Sequence, residues 1–130
     1  MNAVGIIGAG YWGKNLVRTF NSLHSVDLKY IAETSNEILA NINAAYPRIR
    51  TTNRYQDILE DRDIAAVVIC TPAVHHYEIA RESLLAGKHV FVEKPITLKE
   101  THARELVSLA DKKKRKLMVG HLLLYRQYYM

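Results

Sequence analysis

The residues best suited to chemistry begin at position 8. Gly8-Ala9-Gly10-Tyr11-Trp12-Gly13 is a G-x-G-x-x-G run. An apolar stretch, Ala3–Ile7, precedes it, and Gly13, Leu16, Val17 and Phe20 then recur at the spacing of one helix face. In a strand–turn–helix the first glycine permits the tight turn. The second lets backbone approach a pyrophosphate, and the third lets helix and strand pack closely. Free N–H groups and the positive end of the helix dipole suit phosphate oxygens there. Glu33 lies twenty residues past Gly13, at the expected end of a second strand, Leu28–Ala32. A carboxylate at that place accepts hydrogen bonds from the adenosine ribose and repels a 2′-phosphate. Thr34, Ser35 and Asn36 follow it, with no arginine, which favours NAD over NADP. The bland alternatives are a glycine turn without ligand and a solvated first-turn acid; the strand, helix and acid together favour dinucleotide binding.

The elements that must position these groups alternate along the chain. Thr34-Ser35-Asn36-Glu37 has capping-box spacing and predicts a helix running towards Ala45, broken at Pro47. Arg48–Thr51 reads as a short third strand, with a helical turn around Tyr55–Leu59. Ala65–Cys70 is apolar on both faces, as a central parallel strand would be. A helix from about His75 to Ala86 follows, with Gly87 as its C-terminal cap. His89–Val92 is a fifth strand, and Thr97-Leu98-Lys99-Glu100 a second capping box. The next helix shows an apolar stripe at Ala103, Leu106, Val107 and Ala110, and Leu117–Gly120 is a sixth strand. Six strands joined by helices predict an α/β fold, a doubly wound parallel sheet with helices on both faces. Ligands bind such sheets beyond the carboxyl ends of the strands. That edge collects Gly8–Gly13, Glu33-Thr34, Thr71–His76, Glu93–Pro95 and His121. Pro95 restricts Lys94 to extended backbone and so limits where its side chain can point.

Three segments resemble one family. Gly5–Asn15 (Gly-Ile-Ile-Gly-Ala-Gly-Tyr-Trp-Gly-Lys-Asn), Cys70–Ala80 (Cys-Thr-Pro-Ala-Val-His-His-Tyr-Glu-Ile-Ala) and Ala86–Pro95 (Ala-Gly-Lys-His-Val-Phe-Val-Glu-Lys-Pro) are similar to the glucose–fructose oxidoreductase, inositol dehydrogenase and rhizopine-catabolism (Gfo/Idh/MocA) oxidoreductases. Val119–Tyr125 resembles members that act on nucleotide-linked amino sugars, such as N-acetylhexosamine 3-dehydrogenases. The resemblance implies a Rossmann NAD-binding domain over residues 1–121, with 122–130 a tail or the truncated start of a connection to a further domain. It implies a cofactor cleft formed by Gly8, Gly10, Tyr11, Trp12, Gly13, Glu33, Thr71, Pro72, His76, Glu93 and Lys94, with Lys94 also positioning or polarising the reacting hydroxyl or carbonyl. His76 matches the histidine of a Thr-Pro-x-x-x-His motif, a surface polar residue being the alternative, and His121 would reach the substrate side. Members continue into a second α/β domain that carries an acid/base histidine and often mediates assembly, so a homo-oligomeric full-length enzyme is expected. Arg126-Gln127 stands where relatives tend to have a residue followed by proline.

Composition narrows the field. A chain of 130 residues, 48% hydrophobic and 24% charged, suits one globular domain. No apolar run approaches the ~20 residues of a membrane span, and the first residues lack the basic start of a signal peptide. No membrane partner and a cytoplasmic setting are expected. The net charge of +5 comes from the five cations of Lys112–Lys116 alone, a solvated helix end, so no nucleic-acid partner is expected. Cys70 is the single cysteine and reads as a small buried hydrophobe. His75 and His76 are adjacent rather than four apart, and no metal site is expected. The combined expectation is an NAD-binding half of an oxidoreductase that moves a hydride between a sugar or polyol hydroxyl, possibly nucleotide-linked, and nicotinamide. The rival is a non-catalytic NAD(H)-binding module for sensing or partner assembly, with Tyr125, Tyr128 and Tyr129 as interface.

Overall fold

A computed structural model describes residues 2–10 and 13–120. The expectations for Tyr11, Trp12, His121 and the segment 122–130 fall outside them. The strands are β1 (Asn2–Ile7), β2 (Val26–Ala32), β3 (Arg50–Thr52), β4 (Ile64–Ile69), β5 (His89–Glu93) and β6 (Leu117–Gly120). The helices are α1 (Gly13–Ser22), α2 (Asn36–Ala45), α3 (Gln56–Glu60), α4 (His76–Leu85), which follows a 3-10 turn at Ala73–His75, and α5 (Glu100–Lys113). All strand pairs are parallel and the order is β3-β2-β1-β4-β5-β6, a doubly wound Rossmann sheet. The chain starts in the middle of the sheet, winds outwards through β2 and β3, then returns to β4 on the other side of β1. The ends of β1 and β4 therefore flank the point where the winding reverses.

Alternating side chains divide the core between the two faces. Ile6, Ile31 and Val68 pack with Val17 of α1 and Ile42 of α2. Ile7, Val67, Ile69, Val90 and Val92 pack on the other face with Ile58 of α3, Ile79 and Leu84 of α4, and Leu106 of α5. Gly87 adopts φ +81° just past α4. Its N–H donates to the Leu84 carbonyl and that of Lys88 to Ser83, each at 3.0 Å, a Schellman closure as the sequence predicts. Lys88 is buried, and its ammonium donates to the carbonyls of Asp61 (2.6 Å) and Ile64 (2.7 Å), while burial pushes its pKa down.

Several local expectations are corrected. Ser35, not Thr34, caps α2, its hydroxyl accepting from Ile38 N–H at 3.3 Å. Thr97 caps nothing: α5 starts at Glu100 after Lys99, and the Thr97 hydroxyl donates to the Lys99 carbonyl at 2.6 Å. Val107 leaves the expected stripe, 54% exposed beside fully buried Leu106. β4 begins one residue early, at Ile64, and Ala65 is exposed, so both faces are covered only over its second half.

Gly5 is a tight contact that no motif marks. A Cβ built there would lie 2.6 Å from Ile58 Cγ2, and the β1–β2 register shifts between Val4 and Gly5. Because isoleucine is branched at Cβ, that methyl cannot swing clear cheaply. Gly5→Ala should cost ~1–3 kcal/mol by overpacking, outweighing the ~0.5–1 kcal/mol a strand normally gains on losing a glycine. Urea denaturation of Gly5→Ala, Ile58→Ala and the double variant should give a combined cost below the sum of the two. Strictly additive costs would show that the clash is not the cause.

Candidate functional site

The site grows from the reversal point. After β1, Gly8 turns with φ +93°, a conformation that side chains disfavour. A Cβ at Gly8 would come within 2.8 Å of the Thr71 nitrogen and 2.9 Å of the Cys70 carbonyl carbon, so backbone lies directly against backbone. Gly8 N–H donates to the Ala32 carbonyl and Cys70 N–H to the Ile7 carbonyl, both at 2.8 Å. These bonds stitch the turn to β2 on one side and β4 on the other. A Cβ built on Gly10 would meet nothing within 4 Å among the described residues outside its chain neighbours, and its φ is not left-handed. Gly13 opens α1.

Glu33 sits immediately past β2, its N–H donating to the Thr52 carbonyl at 3.0 Å. Its Oε1 accepts from Ala9 N–H at 2.8 Å, and its Oε2 from Ser35 N–H at 2.8 Å and the Thr34 hydroxyl at 3.4 Å. The acid therefore joins the glycine turn to the start of α2. A carboxylate offers about four acceptor positions, so these three bonds leave capacity for about one further hydroxyl donor.

A cavity of about 690 Å³ opens at this carboxyl edge, bordered by Gly8, Gly10, Glu33, Thr71 and Pro72 from the expected set. Thr71 Oγ1 is buried without a hydrogen-bond partner among the described residues. Cys70 also lines the cavity, and burial, followed by the Glu93 carboxylate, pushes its thiol far above the usual range. It stays a protonated, unreactive thiol.

The remaining expected residues divide. His76 is 1% exposed and does not line the cavity. Its Nδ1 lies 2.6 Å from the Pro95 carbonyl and its Nε2 2.8 Å from the Thr71 carbonyl. The structure thus places the ring behind the cavity wall. Glu93 ends β5 half-buried, and Lys94 follows it exposed, its N–H donating to the Gly120 carbonyl at 3.2 Å. Neither borders the enclosed part of the cavity.

Three polar lining residues went unnoticed in the sequence, Asn53, Tyr55 and Glu78, and His75, placed on the ligand edge without a binding role, lines the cavity with them. Asn53 follows β3, the strand beside Glu33's own, and placing the end of β3 at Thr51 hid it; the strand ends at Thr52. Tyr55 donates to a Glu82 carboxylate oxygen, and burial, then that carboxylate, push its phenol above its ordinary range. The wall there is consequently held by a protonated tyrosine.

These features fit a dinucleotide. Open space beside Gly10 and the neighbouring start of α1 suit a pyrophosphate, Glu33 has spare acceptor capacity for ribose, and Thr71 has a buried hydroxyl in want of a partner. The cavity is within the usual range for small-molecule sites.

Comparison with known proteins agrees. The profile of an oxidoreductase family described as an NAD-binding Rossmann fold matches residues 2–121. The chain is 31% identical over 116 residues to the uncharacterized oxidoreductase YrbE of Bacillus subtilis strain 168, covering 89% of this chain and 34% of that protein. It is similar to the crystal structure of a candidate myo-inositol dehydrogenase from Sinorhizobium meliloti 1021, at 32% identity and TM-score 0.86, covering 92% of this chain and 36% of that one. It is also similar to biliverdin reductase from Synechocystis sp. PCC 6803 in complex with biliverdin and NADP+, at 30% identity and TM-score 0.88, covering 95% of this chain and 39% of that one. The chain thus spans about a third of the length of the curated relative it matches. With residues 2–121 matched by one profile and the parallel, doubly wound sheet that its description names, the chain belongs to the Gfo/Idh/MocA family of NAD-binding oxidoreductases.

Proposed function

We propose that residues 1–121 form the NAD-binding domain of a dehydrogenase that transfers a hydride between nicotinamide and a sugar or polyol hydroxyl, a nucleotide-linked sugar being the narrower form. The observation that carries the cofactor half of this reading is the hydrogen bond from Ala9 N–H to Glu33 Oε1, at 2.8 Å. It makes the phosphate turn and the ribose acid one unit, with the carboxylate standing where a 2′-phosphate would have to fit. That supports NAD over NADP. The polyol half rests on family resemblance and on the likeness to the candidate myo-inositol dehydrogenase.

When bound, nicotinamide supplies the hydride acceptor or donor. The chain's own residues do the rest in this reading. The Gly8–Gly10 backbone and the start of α1 hold the phosphates, Glu33 orients the ribose, and Thr71 and Pro72 line the cleft. Lys94, exposed at the end of β5, presents a cation to the reacting oxygen. A lysine ammonium is a hydrogen-bond donor without an acceptor lone pair, so the part of Lys94 in this reading is to polarise that oxygen.

Gly10→Val should leave the fold largely intact, since nothing crowds the site and φ is compatible, yet abolish NADH binding by filling the pyrophosphate space. Calorimetry that returns an unchanged dissociation constant would place the phosphates elsewhere. Glu33→Ser should lower affinity for NAD and relieve a repulsion against NADP. Losing charge-assisted hydrogen bonds of ~1.5–3 kcal/mol should shift the affinity ratio at least about tenfold. A wild-type preference for NADP would sink this assignment.

The 130 residues alone should bind NADH between micromolar and millimolar, read by the fluorescence of Trp12, the single tryptophan, and by calorimetry. They should turn over no sugar, inositol or nucleotide sugar, because among the described residues neither a base nor an orienting wall, the latter worth ~7–11 kcal/mol, stands beside the exposed Lys94. Turnover that Lys94→Ala abolishes would show that these residues already contain the whole machinery.

A further inference from the structure

His76 stands where two parts of the site meet. It is the first residue of α4 and is 1% exposed, although histidines at a first helical turn usually face water. Its ring spans from the carbonyl of Thr71, at the end of β4, to the carbonyl of Pro95, just past β5, at 2.8 Å and 2.6 Å. Both partners are acceptors. A ring bearing hydrogen on both nitrogens donates to both, and a neutral ring to one.

Each carbonyl belongs to a segment the site depends on. Thr71 sets its backbone nitrogen against Gly8 and lines the cavity, its hydroxyl buried and without a partner among the described residues. Pro95 is joined directly to Lys94, whose own N–H reaches across to β6. In a doubly wound sheet a dinucleotide lies across the reversal point, one mononucleotide on each side. Glu33 and Asn53 mark the β2–β3 side as the adenosine half. The β4–β5 side, with Thr71, Pro72 and Lys94, is left for nicotinamide.

We propose that His76 is a positioning residue of the nicotinamide half: by tying the Thr71 carbonyl to the Pro95 carbonyl, its ring fixes where the Thr71 hydroxyl and Lys94 stand relative to each other. This rests on the dinucleotide reading above. No direct contact between His76 and the cofactor is required. Without the ring, nothing stands between the Thr71 and Pro95 carbonyls, and the turns after β4 and β5 are free to move relative to each other.

The test separates the two halves of the ligand. NADH and ADP-ribose, which lacks nicotinamide, are titrated into the wild-type chain, His76→Leu and His76→Gln. The glutamine variant keeps two amide hydrogens able to reach two carbonyls. His76→Leu should weaken NADH about tenfold while changing ADP-ribose less than about twofold, and His76→Gln should recover most of the NADH affinity. A parallel measurement on the unmutated chain guards against a leucine variant that does not fold. The ring ¹H–¹⁵N resonances of His76 should shift on adding NADH and stay in place on adding ADP-ribose. Equal losses for both ligands, unaltered NADH binding by His76→Leu, or ring resonances that ignore NADH would each overturn the positioning role. A wild-type chain that binds neither ligand would instead overturn the dinucleotide reading, and this inference with it.

Discussion

The contact between Gly8 and the backbone of Cys70–Thr71 is the constraint on which the rest of the site depends. Two central parallel strands end side by side, and the chain leaving β1 must turn without a side chain because the peptide ahead of it is only 2.8 Å from where a Cβ would sit. Backbone cannot step aside as a flexible side chain can, and φ +93° adds a second reason for glycine. From that point two chains of bonds run outwards. One passes through Gly8 N–H to Ala32 and brings Glu33 onto Ala9. The other passes from Thr71 through the His76 ring to Pro95.

The two arms differ in chemistry. The Glu33 arm ends in a carboxylate pinned by backbone N–H groups, a fixed negative charge that, in the proposed reading, would accept from hydroxyls and repel phosphate. The Lys94 arm ends in an exposed cation on a flexible stem. An exposed ammonium is screened by water, so its effect on a reacting oxygen grows only as neighbouring groups exclude solvent. Under the proposed function, selectivity would rest on the fixed carboxylate, whereas any effect of Lys94 would depend on what excludes water around it.

Much of this was legible in the residues. The glycine run, the acid twenty positions on, and the alternation of apolar runs with capping signals pointed to a doubly wound parallel sheet, to the approximate places of its helices and to Glu33 at the end of β2, because each is a local pattern; the strand order and the bond from Ala9 to Glu33 are not local. What stayed hidden depends on distant partners. Thr34 and Ser35 are both plausible caps, and only the draw of Glu33 on Ser35 N–H and the Thr34 hydroxyl shows how the pair divides the work. Spacing puts Val107 with Leu106, yet α5 turns only one of them inwards. His76 carries no mark distinguishing a cofactor ligand from a strut, since the two carbonyls that claim it lie 5 and 19 residues away. Gly5 resembles any strand glycine until Ile58 of α3 is placed against it.

The pairing of β1 with β4 also bears on the order in which the molecule assembles. Ile7 and Ile69 stand opposite each other, so about sixty residues must be gathered into a loop before these strands can meet, whereas Ile7 finds Ala32 of β2 over a far shorter span. Such closure costs entropy before the contacts repay it, and non-local parallel pairing is correspondingly slow. Thr71, the far wall of the glycine turn, reaches its place only with that last central pairing. A dinucleotide has little to grip on the way down the folding route; it stabilises the finished sheet by mass action rather than guiding its construction.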